Sequence, residues 1–416
     1  LVYTARVTPD IAWSIDDVDR VMQWGFGWEL GPFELIDAIG VREVVDAWQA
    51  TGTADSDVPP LLQEALDAGR NVVRGAPVPP ARPDLLILRT AKTGGRAVIR
   101  RNAGASLVDL GEGVLCVEFH SKMNAIGGDA IEMLHAGVAE AERNHVALVI
   151  GNEAPNFSAG ANLVLLLLEA QEGNWDEIDL MVRSFQRATA ALRAARVPVI
   201  AAPAGLTLGG GCEIVLHGDR VQAAAESYIG LPEVGLGLIP AAGGTKEMLA
   251  RAVENLPAHA DLLPAVQRVF ETIGLARVST SAADARRLGY LRPVDRITMN
   301  RERVLADARR LALMRAREGY QPPPPRMIRV GGDSIRAALM LGVHLAWRSG
   351  RISDHDALVG RKLATVLSGG SLPGPAVVSE QHLLDLERET FLSLCGERKT
   401  LERIQHTLRT GKPLRN

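Results

Sequence analysis

Gly205-Leu-Thr-Leu-Gly-Gly-Gly-Cys-Glu213 is the stretch on which the fold is decided. The apolar run Pro198 to Ala204 leads into it and reads as a strand, while Cys212 to Gly218 behind it reads as an apolar helix. Three glycines, Gly209 to Gly211, therefore join a strand to a helix. Glycine lets a ligand approach the main chain closely. A helix start leaves N–H groups unpaired and carries partial positive charge. The combination suits an oxygen on which negative charge develops.

Working outward, two further segments share that character. Phe157-Ser-Ala-Gly-Ala-Asn-Leu163 is a glycine-containing loop after the apolar strand Val146 to Asn152. Backbone donors from two separate loops would form an oxyanion hole, each worth about 3–4 kcal/mol of barrier. Downstream runs Gly230-Leu-Pro-Glu-Val-Gly-Leu-Gly-Leu-Ile-Pro-Ala-Ala-Gly-Gly-Thr245, with Glu233 among apolar neighbours. Glu213 opens the helix after the glycines. A carboxyl in an apolar pocket has a raised pKa, and two of them can divide the work of acid and base. Taken singly, a glycine triplet is an ordinary turn and a glutamate at a helix start an ordinary dipole partner. The order and spacing of the three segments are what is specific.

Around this centre, Ser106 to Phe119 alternates as two strands about Gly111-Glu112-Gly113, a hairpin signal, and Asp129 to Asn144 reads as a helix. A long helix-like region extends to Ala195. Strands alternating with helices predict a layered α/β fold. Beyond about residue 300 the chain reads as helical, with loops at Pro322 to Pro325 and near Gly369 to Pro375. Its arginines Arg309, Arg310, Arg315 and Arg317 make a basic face of the kind that is usually solvated. Residues 1 to about 55 also read as helical, with Ser14 as a cap and a break at Gly31-Pro32. A connector follows, holding a short helix, Leu61 to Ala68, and the proline-rich Ala76 to Ala81. The main boundary is expected close to residue 100.

The 416 residues carry 46 basic and 49 acidic side chains, a net charge of −3, with 47% hydrophobic residues. This is a globular balance that predicts neither a nucleic-acid nor a membrane partner. Leu163 to Leu168 is too short to span a bilayer. Cys116, Cys212 and Cys395 are isolated, which predicts no disulfide and fits a reducing, cytoplasmic setting. No trusted histidine spacing points to a metal. The chain begins at Leu1 without methionine, and it is expected to be a piece of something longer.

The three glycine-bearing segments together resemble the crotonase (enoyl-CoA hydratase/isomerase) superfamily over roughly residues 105 to 295. That resemblance implies an α/β core of stacked β-β-α units with flanking all-α regions. It implies an oxyanion hole from the N–H groups of Ala161 and Gly210, and Glu213 with Glu233 as the catalytic acids. Hydratases of the family generally carry both acids and isomerases often one, so the implied activity is addition of water to a trans-2-enoyl-CoA in fatty-acid β-oxidation. Δ3-Δ2-enoyl-CoA isomerisation and a non-catalytic acyl-CoA-binding or assembly module remain alternatives. Substrate contacts are implied at Lys122, Ala125, Ala159, Gly160, Asn162, Leu163, Gly209, Pro232 and Gly235. Lys122 lies in His120-Ser-Lys-Met-Asn-Ala125, which resembles the loop bordering the CoA moiety. Two departures stand out: Asn162 where an aspartate is common, removing a charge beside the acyl pocket, and Lys246 where glutamine is frequent. The leucines 163–168 serve equally as tunnel lining or as helix packing. No permanently bound cofactor is implied for this part. The implied partners are the acyl-CoA substrate and either a homo-oligomer, usually a trimer, or fatty-acid oxidation partners such as thiolase.

Residues 1 to about 50 resemble a repeat of the C-terminal helical domain of 3-hydroxyacyl-CoA dehydrogenases, above all at Gly31-Pro-Phe-Glu-Leu35. No GxGxxG after a strand is present, so NAD is expected to belong to an upstream part and the dehydrogenase to be inert here. The expected division is 1–55 dehydrogenase remnant, 56–104 linker, 105–295 hydratase domain and 296–416 helical region.

Overall fold

Gly111, Glu112 and Gly113 all take positive φ, and this tight reversal pairs β2 (Ala105–Asp109) with β3 (Val114–Phe119) antiparallel. The computed structural model describes residues 1–52, 57–74, 85–88, 92 and 97–416. The proline-rich stretch 76–81 lies outside them. The chain divides into two units, Leu1–Gly94 and Gly95–Asn416.

In the second unit, β1 (Val98–Arg101) precedes the hairpin and pairs with β2. Residues 98–101, expected in a linker, are thus the edge of the sheet. Helix Gly128–Asn144 covers the hairpin and leads into β4 (Ala147–Gly151), parallel to β3. The helix-like region to Ala195 is two helices, Leu163–Glu172 and Trp175–Ala194, broken at Gly173, whose φ is +74°. Then come β5 (Val199–Ala202), β6 (Gly205–Leu208), helix Gly210–Leu216, β7 (Arg220–Ala224) and β8 (Ser227–Gly230). Among the described residues seven strands form the main sheet, in the order β1-β2-β3-β4-β5-β7 and then β9 (Arg296–Thr298), and β6 pairs parallel with β8 in a small second sheet. The strands from β3 to β5 are buried on both faces, as their continuous Val, Leu, Ile and Ala runs require.

β9 (Arg296–Thr298) closes the main sheet beside β7, and helix Val304–Arg317 packs over β4, β5 and β7. Residues 296–317, expected in the C-terminal helical region, therefore extend the α/β layer. The basic face of that helix is not left to water throughout: Arg309 donates to the Leu110 carbonyl at 2.8 Å and Arg315 pairs with Asp219 at 2.9 Å. Beyond it, β10 (Met327–Val330) and β11 (Ala376–Ser379) form a two-stranded ribbon that the helical reading did not anticipate. The last helices, Glu380–Cys395 and Arg398–Thr410, bury Leu383, Leu394, Cys395 and Ile404 in the same core as the sheet. All three cysteines are free and buried.

The first unit is helical, with helices Val2–Ile11, Ile15–Phe26, Pro32–Ile39, Val41–Gln49 and Pro60–Asp67. Ser14 caps the second of these through the Asp17 N–H, at 3.2 Å. Gly31 is required before Pro32 because a Cβ there would stand 2.3 Å from that of Asp19, whose carboxylate accepts the Phe33 and Glu34 N–H groups at 2.7 and 3.2 Å. Leu62, Ala65 and Val73 complete a core with Phe33, Ile36 and Val41. The helix expected in the connector therefore belongs to this unit.

Candidate functional site

The strand β6 ends at Leu208 and is followed by Gly209, whose φ of +52° and ψ of −121° exclude residues with a Cβ. A Cβ there would also approach Glu233 Oε1 to 2.9 Å. The helix then starts at Gly210, two residues earlier than the apolar pattern indicated. The loop 157–161 lies along β6 through Ser158 N–H to the Leu206 carbonyl and Leu208 N–H to the Ser158 carbonyl, both 3.0 Å. Gly160 N–H donates to Ser158 Oγ at 3.1 Å, and Asn162 N–H to the Ile126 carbonyl at 3.1 Å. Between them, Ala161 N–H has no acceptor among the described residues, and neither has Gly210 N–H. A Cβ on Gly210 would lie 3.8 Å from the Ala161 nitrogen. The two spare donors thus edge one space.

That space is a cavity of about 360 Å³. Ala159, Gly160, Ala161, Asn162, Leu163, Gly209, Gly210, Glu213, Pro232 and Glu233 all line it. Lys122, Ala125 and Gly235 do not. Lys122 is exposed on the turn Lys122–Asn124, which is tied to the site loop by Ala159 N–H to the Met123 carbonyl at 3.1 Å and by Asn124 Nδ2 to the Asn156 carbonyl at 2.9 Å. Gly235 faces Pro413. Asn162 is exposed, and its side chain caps helix Leu163–Glu172 by accepting the Leu165 N–H at 3.3 Å. Asparagine and aspartate cap about equally well, so the exchange leaves the helix start intact. Leu163, Leu165 and Leu166 line the cavity while Val164 and Leu168 are half exposed, so the leucine run divides between cavity wall and surface. Ile178, Met181, Phe185, Leu236 and Phe391 complete an apolar wall.

Two carboxyls stand in this apolar space. Glu213 Oε1 accepts the Ala242 and Gly244 N–H groups at 2.7 and 2.8 Å. Burial pushes its pKa up to about 7, against the pull of those two donors and of Lys246. Glu233 Oε2 is buried with no hydrogen-bond partner among the described residues. Burial, and then the neighbouring Glu213 charge, hold its pKa well above the ordinary carboxyl range. With the two acids coupled, ionisation of one keeps the other protonated.

Sequence reasoning missed the groups behind Glu213. Lys246 is buried, its Nζ 3.0 Å from both Glu247 Oε2 and His217 Nε2. His217 Nδ1 lies 2.7 Å from the Glu213 carbonyl, and burial followed by Lys246 pushes its pKa down to about 3. It is therefore a neutral link, donating to the carbonyl and accepting from the lysine. Gln186 Nε2 donates to the Ala241 and Leu384 carbonyls at 2.8 and 2.9 Å, and Thr189 to that of Ala242 at 2.8 Å. Glu387, from the C-terminal region, accepts the Gly243 and Lys246 N–H groups. The sole signal was Lys246 in place of glutamine; Glu387 gave none.

Residues 109–268 match the sequence model described as enoyl-CoA hydratase/isomerase, and residues 5–75 that of the 3-hydroxyacyl-CoA dehydrogenase C-terminal domain. A Bacillus subtilis protein named "Probable 3-hydroxyacyl-CoA dehydrogenase" is 43% identical over 432 residues, covering 100% of this chain and 54% of its own length. A peroxisomal fatty acid beta-oxidation multifunctional protein of Arabidopsis thaliana is 34% identical over 165 residues, 38% of this chain and 23% of its own. The solved enoyl-CoA hydratase of Bacillus halodurans superposes with a TM-score of 0.49 at 14% identity, over 74% of this chain and 99% of that one. The chain spans about half the length of the curated relatives that match nearly all of it. A 3-hydroxyacyl-CoA dehydrogenase C-terminal domain is thus part of the chain, so it is not read as a chain without any dehydrogenase part. The match runs to residue 75 rather than 55, because helix Pro60–Asp67 is needed to close the first unit's core.

Proposed function

Since this chain belongs to the enoyl-CoA hydratase/isomerase family through residues 109–268 and carries a 3-hydroxyacyl-CoA dehydrogenase C-terminal domain over residues 5–75, we propose that its α/β unit adds water to trans-2-enoyl-CoA thioesters in fatty-acid β-oxidation. The observation that carries this reading is one cavity edged by two unsatisfied main-chain donors and two buried carboxyls.

The chemistry follows from the arrangement. The thioester oxygen accepts from Ala161 and Gly210 N–H. Glu213, whose pKa lies near neutrality, takes a proton from water as the water oxygen bonds to the β-carbon. The alkene electrons move onto the thioester oxygen, where each donor is worth about 3–4 kcal/mol in the transition state. Collapse of that enolate draws a proton to the α-carbon from Glu233, which is the more firmly protonated acid. The enzyme is left with a proton gained on Glu213 and one lost from Glu233, and exchange between the coupled pair restores it. The apolar walls exclude competing water and take the acyl chain. NAD, which the dehydrogenase domain implies, would accept hydride from the hydroxyacyl product. Among its described residues the helical unit has no strand leading into a helix start that would cradle a dinucleotide, and no step here passes through it.

The test is turnover of crotonyl-CoA and a longer enoyl-CoA, followed by loss of the conjugated thioester absorbance. Hydration that is lost in Glu213→Gln and in Glu233→Gln supports the reading. A folded parent with no hydration rejects it. Isomerase activity that survives Glu213→Gln but not Glu233→Gln would assign isomerisation instead.

A further inference from the structure

Helix Gly244–Val253 begins after Gly243, and its opening N–H groups have no carbonyl to bond. They are shared out between two acids in alternation. Ala242 and Gly244 donate to Glu213 Oε1 at 2.7 and 2.8 Å. Gly243 donates to Glu387 Oε2 at 2.9 Å, and Lys246 N–H donates to Glu387 Oε1. With donors interleaved along five residues, one carboxylate cannot move without disturbing the partners of the other. Glu387 is fully buried, far from Glu213 in sequence, on helix Glu380–Cys395. That helix is held in place by Gln186 Nε2 on the Leu384 carbonyl at 2.9 Å and by Arg388 on Asp179 at 2.9 Å.

We propose that Glu387 is a positioning residue: it clamps the turn 241–246 from the C-terminal helical region and so sets the orientation of Glu213. The charged groups around it are otherwise engaged or offset one another. The Lys246 ammonium is engaged with Glu247 and His217, and Arg251 and Arg326 also go to Glu247. On its own helix Arg388 is taken by Asp385 and Asp179, and from helix Asp354–Leu367 Lys362 bonds Ser393. The cation acting on Glu387 is Lys246, and the acids are Glu213, and Glu233 beyond it. Burial, and then the Glu213 charge, hold the Glu387 pKa well above the ordinary carboxyl range, against Lys246 and the two N–H donors, so Glu387 holds the turn by its hydrogen bonds and not by a charge felt at Glu213. The inference rests on the hydratase reading only for the chemistry Glu213 performs.

Glu387→Gln keeps the side-chain volume but replaces one accepting oxygen by an NH2 that cannot accept from the Gly243 or Lys246 N–H. Infrared titration of the buried carboxyl stretch in the full chain, with the Glu213 band assigned by its loss in Glu213→Gln, reads the effect without turnover. Glu213 should titrate higher in Glu387→Gln by at least about half a pH unit, since a loosened turn weakens the Ala242 and Gly244 hydrogen bonds that pull its pKa down. The acidic limb of kcat/KM for hydration should follow it, with KM changed less than about twofold. A folded Glu387→Gln in which Glu213 titrates as in the parent overturns the proposal. If the titration moves but the parent shows no hydration, the hydratase reading fails while the positioning role stands. Should Glu387→Gln not fold, Glu387→Asp keeps both oxygens and shortens the clamp. Its kcat should then fall about tenfold or more, with the Glu213 titration moved in the same upward direction, and an unchanged kcat overturns the proposal.

Discussion

Replacing Glu213 with glutamine should stabilise the protein above neutral pH and leave its stability nearly unchanged in mild acid. Glu213 is 3% exposed, and burial raises its pKa from 4.5 to about 7. Below the unfolded value the acid is protonated in both states and carries no penalty. Between 4.5 and about 7 the unfolded chain ionises while the folded one resists. Stability then falls by about 1.4 kcal/mol per pH unit, reaching a penalty of about 3 kcal/mol once the folded carboxyl ionises as well. Glutamine offers the same oxygen to the Ala242 and Gly244 N–H groups and never ionises. Glu247 works in the opposite sense, because Lys246, Arg251 and Arg326 overcome its burial and hold its pKa well below the ordinary range. It is common to both proteins and cancels in the difference. Urea unfolding of parent and Glu213→Gln across pH 4.5 to 8, followed by circular dichroism, measures that difference. Curves parallel to within about 1 kcal/mol over this range would refute a desolvated carboxyl at Glu213.

Gly210→Ala would set a Cβ 2.7 Å from the Phe185 ring; the overpacking should cost about 1–3 kcal/mol in a thermal melt, and displacement of the donor should lower kcat by about 10²–10³. Unaltered turnover would mean that this N–H does not serve the substrate. Asn162→Ala removes the cap of helix Leu163–Glu172 and should cost about 1 kcal/mol, while Asn162→Asp should restore it, both read by melting temperature. Leu166→Phe fills the apolar end of the cavity and should lower kcat/KM for long enoyl-CoA by about tenfold relative to crotonyl-CoA; an equal loss across a chain-length series would contradict an acyl tunnel there.

What the sequence disclosed is what local chemistry encodes. The Gly111–Gly113 reversal, the Ser14 cap, the stop before Pro32 and the glycine turn at 209–211 each depend on a few adjacent residues. The placement of the candidate site was legible because its glycines and acids lie on short motifs. Long-range pairing left weaker traces. The ribbon of β10 and β11 joins four-residue strands nearly fifty residues apart, too short for an alternation to stand out. β9 has three residues, and only its pairing with β7 shows that the sheet continues past 295. Glu387 reads as one more acid on a charged helix, and nothing in its neighbours tells that it is buried. Lys246 was visible as a departure, but its meaning depends on His217 and Glu247 closing around it. The Lys122, Ala125 and Gly235 assignments rested on motif position alone, and none of the three lines the cavity.

The account stands on two acids serving one bound thioester, and the double variant tests that most directly. Hydration of crotonyl-CoA should be measured for the parent, Glu213→Gln, Glu233→Gln and the pair together. Each single change should lower kcat by about 10²–10⁴. The double variant should fall within about tenfold of the worse single one, because groups that act as a unit are not additive in loss. Full multiplication of the two effects, or hydration that persists in either single variant, would contradict it.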